Sequence, residues 1–321
     1  MSENILNNIK NWVPIRFYLE NNEPYLDWCF TNNIQFTDIF WDETIEEILE
    51  NHFCKFFRPQ TSFQFLQDKI NTIDYLIPNG FIFHTSHCGS SLLLRLISNI
   101  QQSIIISEAS IINSIIHYQI NNPNKISNNI SYLNLICNIL CQKFNEKEEC
   151  SIIKFNPWHL LEFYFIKDTF PNTPCLFLYR NPLEVLASYF MNEGFAFCPL
   201  VPLFYGTNNN IKNIFDKSVS DLTLLYGSIL NIHNRNLNSK NILIMDYSNL
   251  IKNLDLIFSF LNIKQKNIDL ENILKFDAKN QETIFRNDNE EKQNLTKNKF
   301  DDLSNSHLIE LYNNLNEISA K

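Results

Sequence analysis

From residue 78 onward, short unbroken apolar runs alternate with longer segments of helical period. The runs FIFHT (81–85), SIIIS (103–107), SIIKF (151–155), CLFLY (175–179) and NILIMDY (241–247) read as buried strands. Between them SLLLRLISNI (91–100) and residues 109–120 and 129–145 carry helical patterns, with the Asn-rich stretch 121–128 as a loop. Strands apolar on both faces, separated by helices, mean a parallel sheet covered on both sides. Before residue 78 the pattern differs. PIRFYLE and PYLDWCF alternate around Asn-Asn-Glu as a hairpin over 13–30, and TIEEILENHF reads as a short helix opened by Asp42 and Glu43. The expected organisation is an α+β extension over 1–78 and an α/β domain over 79–321.

Composition narrows the partners. The chain has 321 residues, 45% of them hydrophobic, with 27 Phe, 12 Tyr and 4 Trp, enough apolar surface for a large core and too much for disorder. A net charge of −9 leaves no general basic face, so nucleic-acid binding is not expected and any polyanion must be held by a local site. There are 48 Asn but only five Gly, at 80, 89, 194, 206 and 227, as AT-rich coding produces. A glycine kept against that bias points to a backbone need. The N-terminus lacks the apolar stretch of a secretory signal, and no run of 18 apolar residues exists to span a membrane. The eight cysteines are scattered without a CxxC pair, the pattern of reduced, buried thiols in a cytoplasmic protein, and no metal site is expected.

The densest chemistry lies in Phe81-Ile-Phe-His-Thr-Ser-His-Cys-Gly-Ser-Ser91-Leu. A strand ends, the scarce Gly89 makes a turn, and a helix starts at two hydroxyl residues. Unpaired N–H groups and a helix dipole then converge, which suits a phosphate. A Ser-capped helix with no ligand fits the same residues. A nucleotide-hydrolysing loop of the G-x-x-x-x-G-K-[ST] kind is not present, because no Lys follows Gly89. That argues against a small-molecule kinase.

The second segment is Leu178-Tyr-Arg180-Asn-Pro-Leu-Glu-Val-Leu-Ala-Ser188, a strand end carrying Arg followed by Pro at a first helical turn. Arg180 falls at the carboxyl end of its strand, where open α/β sheets bind ligands. Ser188 lies about two helical turns further on. With this segment in view the chain resembles the sulfotransferases that use 3′-phosphoadenosine 5′-phosphosulfate. Their R-(N/D)-P-x-(D/E)-V-x-x-S segment is complete here, and their P-K-S-G-T-T loop survives as SHCGSS, with His87 where Lys is usual. A bacterial group with F-H-x-S-x-C-G-S-(T/S)-L is the nearest in pattern. The resemblance spans roughly residues 10–295.

The resemblance implies a P-loop-like three-layer α/β fold. It also implies a nucleotide site built from Ser86, His87, Cys88, Gly89, Ser90 and Ser91 around the 5′-phosphosulfate. Arg180 and Ser188 would take the 3′-phosphate, with Lys279, Arg286 and Lys292 as later phosphate contacts. Lys154 stands near the family's K-T-H, but the His of that motif is replaced by Asn156, which takes no proton at neutral pH. The base is then sought in Glu108, within Ser107-Glu108-Ala109, or in His159. Lys154 or His87 would neutralise charge at the bridging oxygen. Solvated or core roles fit each residue singly: a helix-start Glu108, a core His84, a His159 packed on Trp158. The implied reaction is sulfuryl transfer to a hydroxyl or amine of a small molecule, glycan or peptide, without a metal. The alternative is a nucleotide-binding module that no longer turns over. If burial dominates at Glu108, its pKa rises toward the useful range.

Overall fold

The computed structural model describes residues 6, 8–31, 34, 40–50, 54, 56–100, 103–193, 214–237, 239–264, 273–275, 303 and 306–319. Trp12–Glu20 (β1) and Glu23–Phe30 (β2) form the expected antiparallel hairpin. It turns on Asn21 and Asn22, whose φ of 52° and 67° match the two-residue turns that follow strand twist, and Asn tolerates them. Trp41–Glu50 (α1) is the acidic-start helix. Gln60–Ser62 (β3) adds a third strand beside β2, and Phe63–Lys69 (α2) follows, its first turn capped by the Ser62 side chain.

The main sheet consists of Gly80–His84 (β4), Ser103–Ser107 (β5), Cys150–Lys154 (β6), Cys175–Tyr179 (β7) and Ile242–Asp246 (β8), in the order β5-β6-β4-β7-β8. Every neighbouring pair is parallel. The unbroken apolar runs are explained by alternation between two cores. Phe81, Phe83, Ile104, Ile106, Ile153, Phe177 and Tyr179 face one cluster, and Ile82, Ile105, Ile152, Leu176 and Leu178 face the other. The second face is covered by Ser90–Ile100 (α3), through Leu93, Leu94 and Ile97. The first face is covered by Ser110–Asn121 (α4), Ile126–Leu140 (α5), Phe163–Thr169 (α6) and Pro182–Glu193 (α7). Ile214–Arg235 (α8) also lies there. Tyr247–Leu250 (α9) and Leu254–Phe260 (α10) complete the α3 side, and His307–Ser319 (α11) packs on the other.

Helix α5 starts three residues earlier than its sequence pattern indicates and stops at Leu140 instead of continuing to 145. The turn opened by Pro123 leads straight into it, and beyond Cys141 the Gln142 side chain is committed elsewhere. Its amide accepts from Asn11 N–H at 2.8 Å and donates to the Trp12 carbonyl at 2.7 Å. Phe17 likewise meets Tyr118 and Tyr132, with centroids 5.4 and 5.9 Å apart. One hydrophobic cluster therefore runs from Leu26 and Phe63 through Ile115 and Ile136 to Phe81.

Strand β4 is the centre of the architecture. The chain leaves it first for the β5 and β6 side, then returns across it to β7 and β8, so the change of direction falls beside β4. The crevice at the carboxyl ends of the strands opens there. Phe83 is stacked between Phe155 and Phe177, with centroids 5.0 and 5.1 Å away and planes 13° apart, which fixes the end of β4 beneath the crevice. The seven described cysteines are free and buried. Burial pushes the thiol of Cys88 up to about 11 and those of Cys141 and Cys150 up to about 12. Among the described residues no helix is long and apolar enough to cross a membrane.

Candidate active site

Between β4 and α3 the backbone takes φ of 69° at Ser86, 46° at His87 and 81° at Gly89. Successive left-handed residues gather N–H groups on one side, and the first turn of α3 adds N–H groups with no partner in the helix. Gly89 has a second reason to lack a side chain: a Cβ there would lie 2.5 Å from Cδ2 of Tyr247. Helix α7 holds the loop in place. The Tyr189 hydroxyl donates to Ser86 Oγ at 2.7 Å, and Ser188 Oγ lies 2.9 Å from His87 Nδ1. Cys88 is no nucleophile, since its thiol is buried and donates to the Leu178 carbonyl at 3.3 Å. Ser90 is buried at the helix start and Ser91 half-buried.

Arg180 sits against the same loop. Its Nη1 donates to the His87 carbonyl at 3.4 Å and its Nε to Glu184 at 2.7 Å, while the guanidinium lies 4.4 Å from the Tyr247 ring centroid. The Tyr226 hydroxyl donates to the Arg180 carbonyl and accepts from Thr85 at 3.4 Å. The two sequence segments thus form one unit, joined through His87.

On the other side of β4, parallel register sets Ser107 beside Lys154, so Glu108 N–H donates to the Lys154 carbonyl at 2.8 Å. Glu108 has φ 54°, which turns the chain away from the sheet edge. Its Oε1 lies 2.5 Å from Lys154 Nζ and 3.4 Å from His84 Nε2. Burial disfavours the Glu108 charge, but the Lys154 ammonium and the His84 contact outweigh it and hold the carboxyl well below the usual range. The expectation that burial would raise it is therefore reversed. The reason is the Lys154 register, which places a cation against the carboxylate.

His159 lies in the turn Pro157–Glu162, fully buried beside Trp158 and Phe155, and neither ring nitrogen has a hydrogen-bond partner among the described residues. Burial pushes its pKa down to about 3. Its depressed value means that stability is complete above the unfolded pKa near 6.5 and is lost as pH falls toward the folded value. Between pH 7 and pH 5 the loss is about 2 kcal/mol. His159→Phe is expected to flatten the acid side of a urea-stability profile by that amount. An unchanged profile would show that the ring is not held neutral by burial. Asn156, in contrast, donates to Asn113 Oδ1 at 2.6 Å, an amide pair with no acid–base capacity.

Glu108 and Lys154 form one contact group and His87, Arg180 and Ser188, beside Gly89, another, both at the carboxyl ends of the strands and linked through the Ser86 N–H bond to His84. Lys279, Arg286 and Lys292 lie outside the described residues, as do Gly194 and Gly206. The tyrosines 189, 226 and 247 were not singled out by sequence. Two of them stand at readable places, directly after Ser188 and at the end of the NILIMDY run. Among the described residues no group of three His, Cys, Asp or Glu could hold a metal ion.

The sequence matches no protein-family model and no curated protein. Among solved structures it is similar to the sulfotransferase domain of the curacin biosynthetic pathway, at 15% identity over 64% of this chain and 80% of that one, with a TM-score of 0.39. It is also similar to mouse sulfotransferase SULT7A1 complexed with PAP, at 16% identity over 63% and 64% with a TM-score of 0.36. A third is sulfotransferase STF9 from Mycobacterium avium, at 9% identity over 74% and 80% with a TM-score of 0.42. All three are sulfotransferases. At such identities the residues of the site, not the likeness, have to carry a reading of function.

Proposed function

We propose that this protein transfers a sulfuryl group from 3′-phosphoadenosine 5′-phosphosulfate to a hydroxyl or amine of a small-molecule, glycan or peptide acceptor. The observation that carries this reading is the junction at His87, where a backbone anion loop meets Arg180 and Ser188 beside the Glu108–Lys154 pair. The donor supplies an activated sulfuryl group when bound. The loop N–H groups with Ser90 and Ser91 bind the 5′-phosphate, and Arg180 with Ser188 binds the 3′-phosphate. Lys154 offsets charge developing on the leaving oxygen, and Glu108, a weak base because Lys154 holds its pKa low, takes the acceptor's proton late, once bonding to sulfur has made that proton acidic. The acceptor oxygen or nitrogen forms its bond to sulfur as the sulfur–oxygen bond to phosphate breaks, leaving adenosine 3′,5′-bisphosphate. The chain's own work is positioning and charge neutralisation. No step calls for a metal.

Two contacts favour a second reading. Asn156 is locked to Asn113 and Glu108 to Lys154, as in a nucleotide-binding module without turnover. Thermal shift separates the possibilities in two stages. Stabilisation by adenosine 3′,5′-bisphosphate but not ATP supports both readings and excludes a kinase. Sulfuryl transfer across an acceptor panel then supports the enzyme, and its absence the module.

Arg180→Ala tests the nucleotide half. Loss of a charge-assisted phosphate contact costs about 2–3 kcal/mol, or roughly 30- to 150-fold in affinity. Calorimetry with adenosine 3′,5′-bisphosphate measures it, and AMP should bind wild type as weakly as the full ligand binds the variant. Equal affinities would remove Arg180 from the site.

A further inference from the structure

Both nitrogens of His84 are directed at groups that matter for the proposed chemistry. The residue ends β4, is 3% exposed, and spans the gap between the anion loop and Glu108. Its Nδ1 accepts from Ser86 N–H at 3.2 Å, which leaves the proton of the neutral ring on Nε2. Nε2 lies 3.4 Å from Glu108 Oε1, a close polar contact that falls short of a hydrogen bond, and it has no hydrogen-bond partner among the described residues. Lys154 Nζ takes the same oxygen at 2.5 Å. Both contacts therefore fall on Oε1. Oε2 accepts from no described residue, and the Glu108 side chain is 20% exposed.

We infer that His84 is a positioning residue that couples the anion loop to Glu108 and leaves Oε2 as the oxygen that takes the acceptor's proton. The inference rests on the sulfuryl-transfer reading for the reaction, but not for the geometry. In the step, the proton of the acceptor O–H or N–H passes to Oε2 while the electron pair it leaves forms the bond to sulfur. Rotation of the carboxylate is opposed because Lys154 on β6 holds Oε1 and His84 Nε2 on the neighbouring β4 stands in contact with the same oxygen. Ser86 belongs to the loop, so any shift of that N–H on anion binding is passed through a rigid imidazole to Oε1. The charged or titratable groups facing Glu108 are Lys154 from β6, His84 from β4 and His159 from the turn after β6.

Two amide substitutions divide the two ring functions. His84→Asn keeps an acceptor near Nδ1 for Ser86 and loses the donor to Glu108. His84→Gln keeps a donor near Nε2 and loses the acceptor for Ser86. His84→Asn is expected to bind adenosine 3′,5′-bisphosphate nearly as wild type, to lose about 10- to 100-fold in kcat, and to move the acid limb of the rate profile up in pH. His84→Gln is expected to keep the wild-type limb and to lose roughly 2- to 12-fold in nucleotide affinity. Wild-type kcat and an unmoved limb in His84→Asn would overturn the inference. Two measurements stand independent of turnover and of how well the variants fold. Nitrogen-15 shifts of wild-type His84 should show a bare Nδ1 and a protonated Nε2, and the Nδ1 signal should move when adenosine 3′,5′-bisphosphate is added. The opposite tautomer, or an Nδ1 signal indifferent to bound nucleotide, also overturns the inference. The expected NMR result in a protein that transfers no sulfuryl group would instead leave the coupling standing and sink the reaction.

Discussion

Glu108→Gln is expected to lower the turnover rate by about 10²–10⁴-fold while nucleotide affinity stays near wild type. The substitution keeps an oxygen for Lys154 and His84 to bind but puts an amide in the place of Oε2, and an amide takes no proton. It also leaves the buried Lys154 ammonium without a counter-charge, which lowers stability. A melting curve must accompany the kinetics, so that the rate is read on folded protein. A variant with full rate would end the role of Glu108. His159 offers no replacement, since it is fully buried with its pKa pushed down to about 3, and the reading without turnover would then gain.

The second large effect is expected at Gly89, where Val should abolish binding of adenosine 3′,5′-bisphosphate. At φ 81° a side chain costs about 1–2 kcal/mol in an ordinary residue and more in a β-branched one. The added Cβ also meets the Tyr247 ring, whose own position is set by the Arg180 guanidinium above it. The loop and the Arg180 side are thus displaced together. Calorimetry on the folded variant gives the answer. Undiminished binding would mean that the loop is not the anion site.

The strands were legible because burial on both faces makes them continuously apolar. Residues 103–107 and 175–179 match the sequence reading at both ends. Sheet order was not, since nothing in FIFHT marks it as the central strand. Phe83 reveals this only through its stacking on neighbours from β7 and the end of β6. Residues 60–62 are too short a strand for any pattern to show, and they pair only because β2 offers a free edge. At the site, the glycine and the Arg180-to-Ser188 spacing were readable because each is a local backbone demand. The ionisation of Glu108 was not, because it depends on a register between two strands more than forty residues apart in sequence. The tyrosines escaped for a related reason. Tyr189 and Tyr247 act through the third dimension, one on a loop from another strand and one under a guanidinium.

The buried thiols have a practical consequence. Alkylating reagents and maleimide dyes attack the thiolate, and the described cysteines are both inaccessible and, at Cys88, Cys141 and Cys150, strongly disinclined to ionise. A cysteine introduced at an exposed position such as Lys125 would outrun them by orders of magnitude under brief labelling. Once Cys198, which lies outside the described residues, has been replaced, fluorophores or spin labels can then be attached at chosen points without stripping the seven described cysteines from the core. Distances between such probes would report directly on how the chain responds when a nucleotide settles into the crevice.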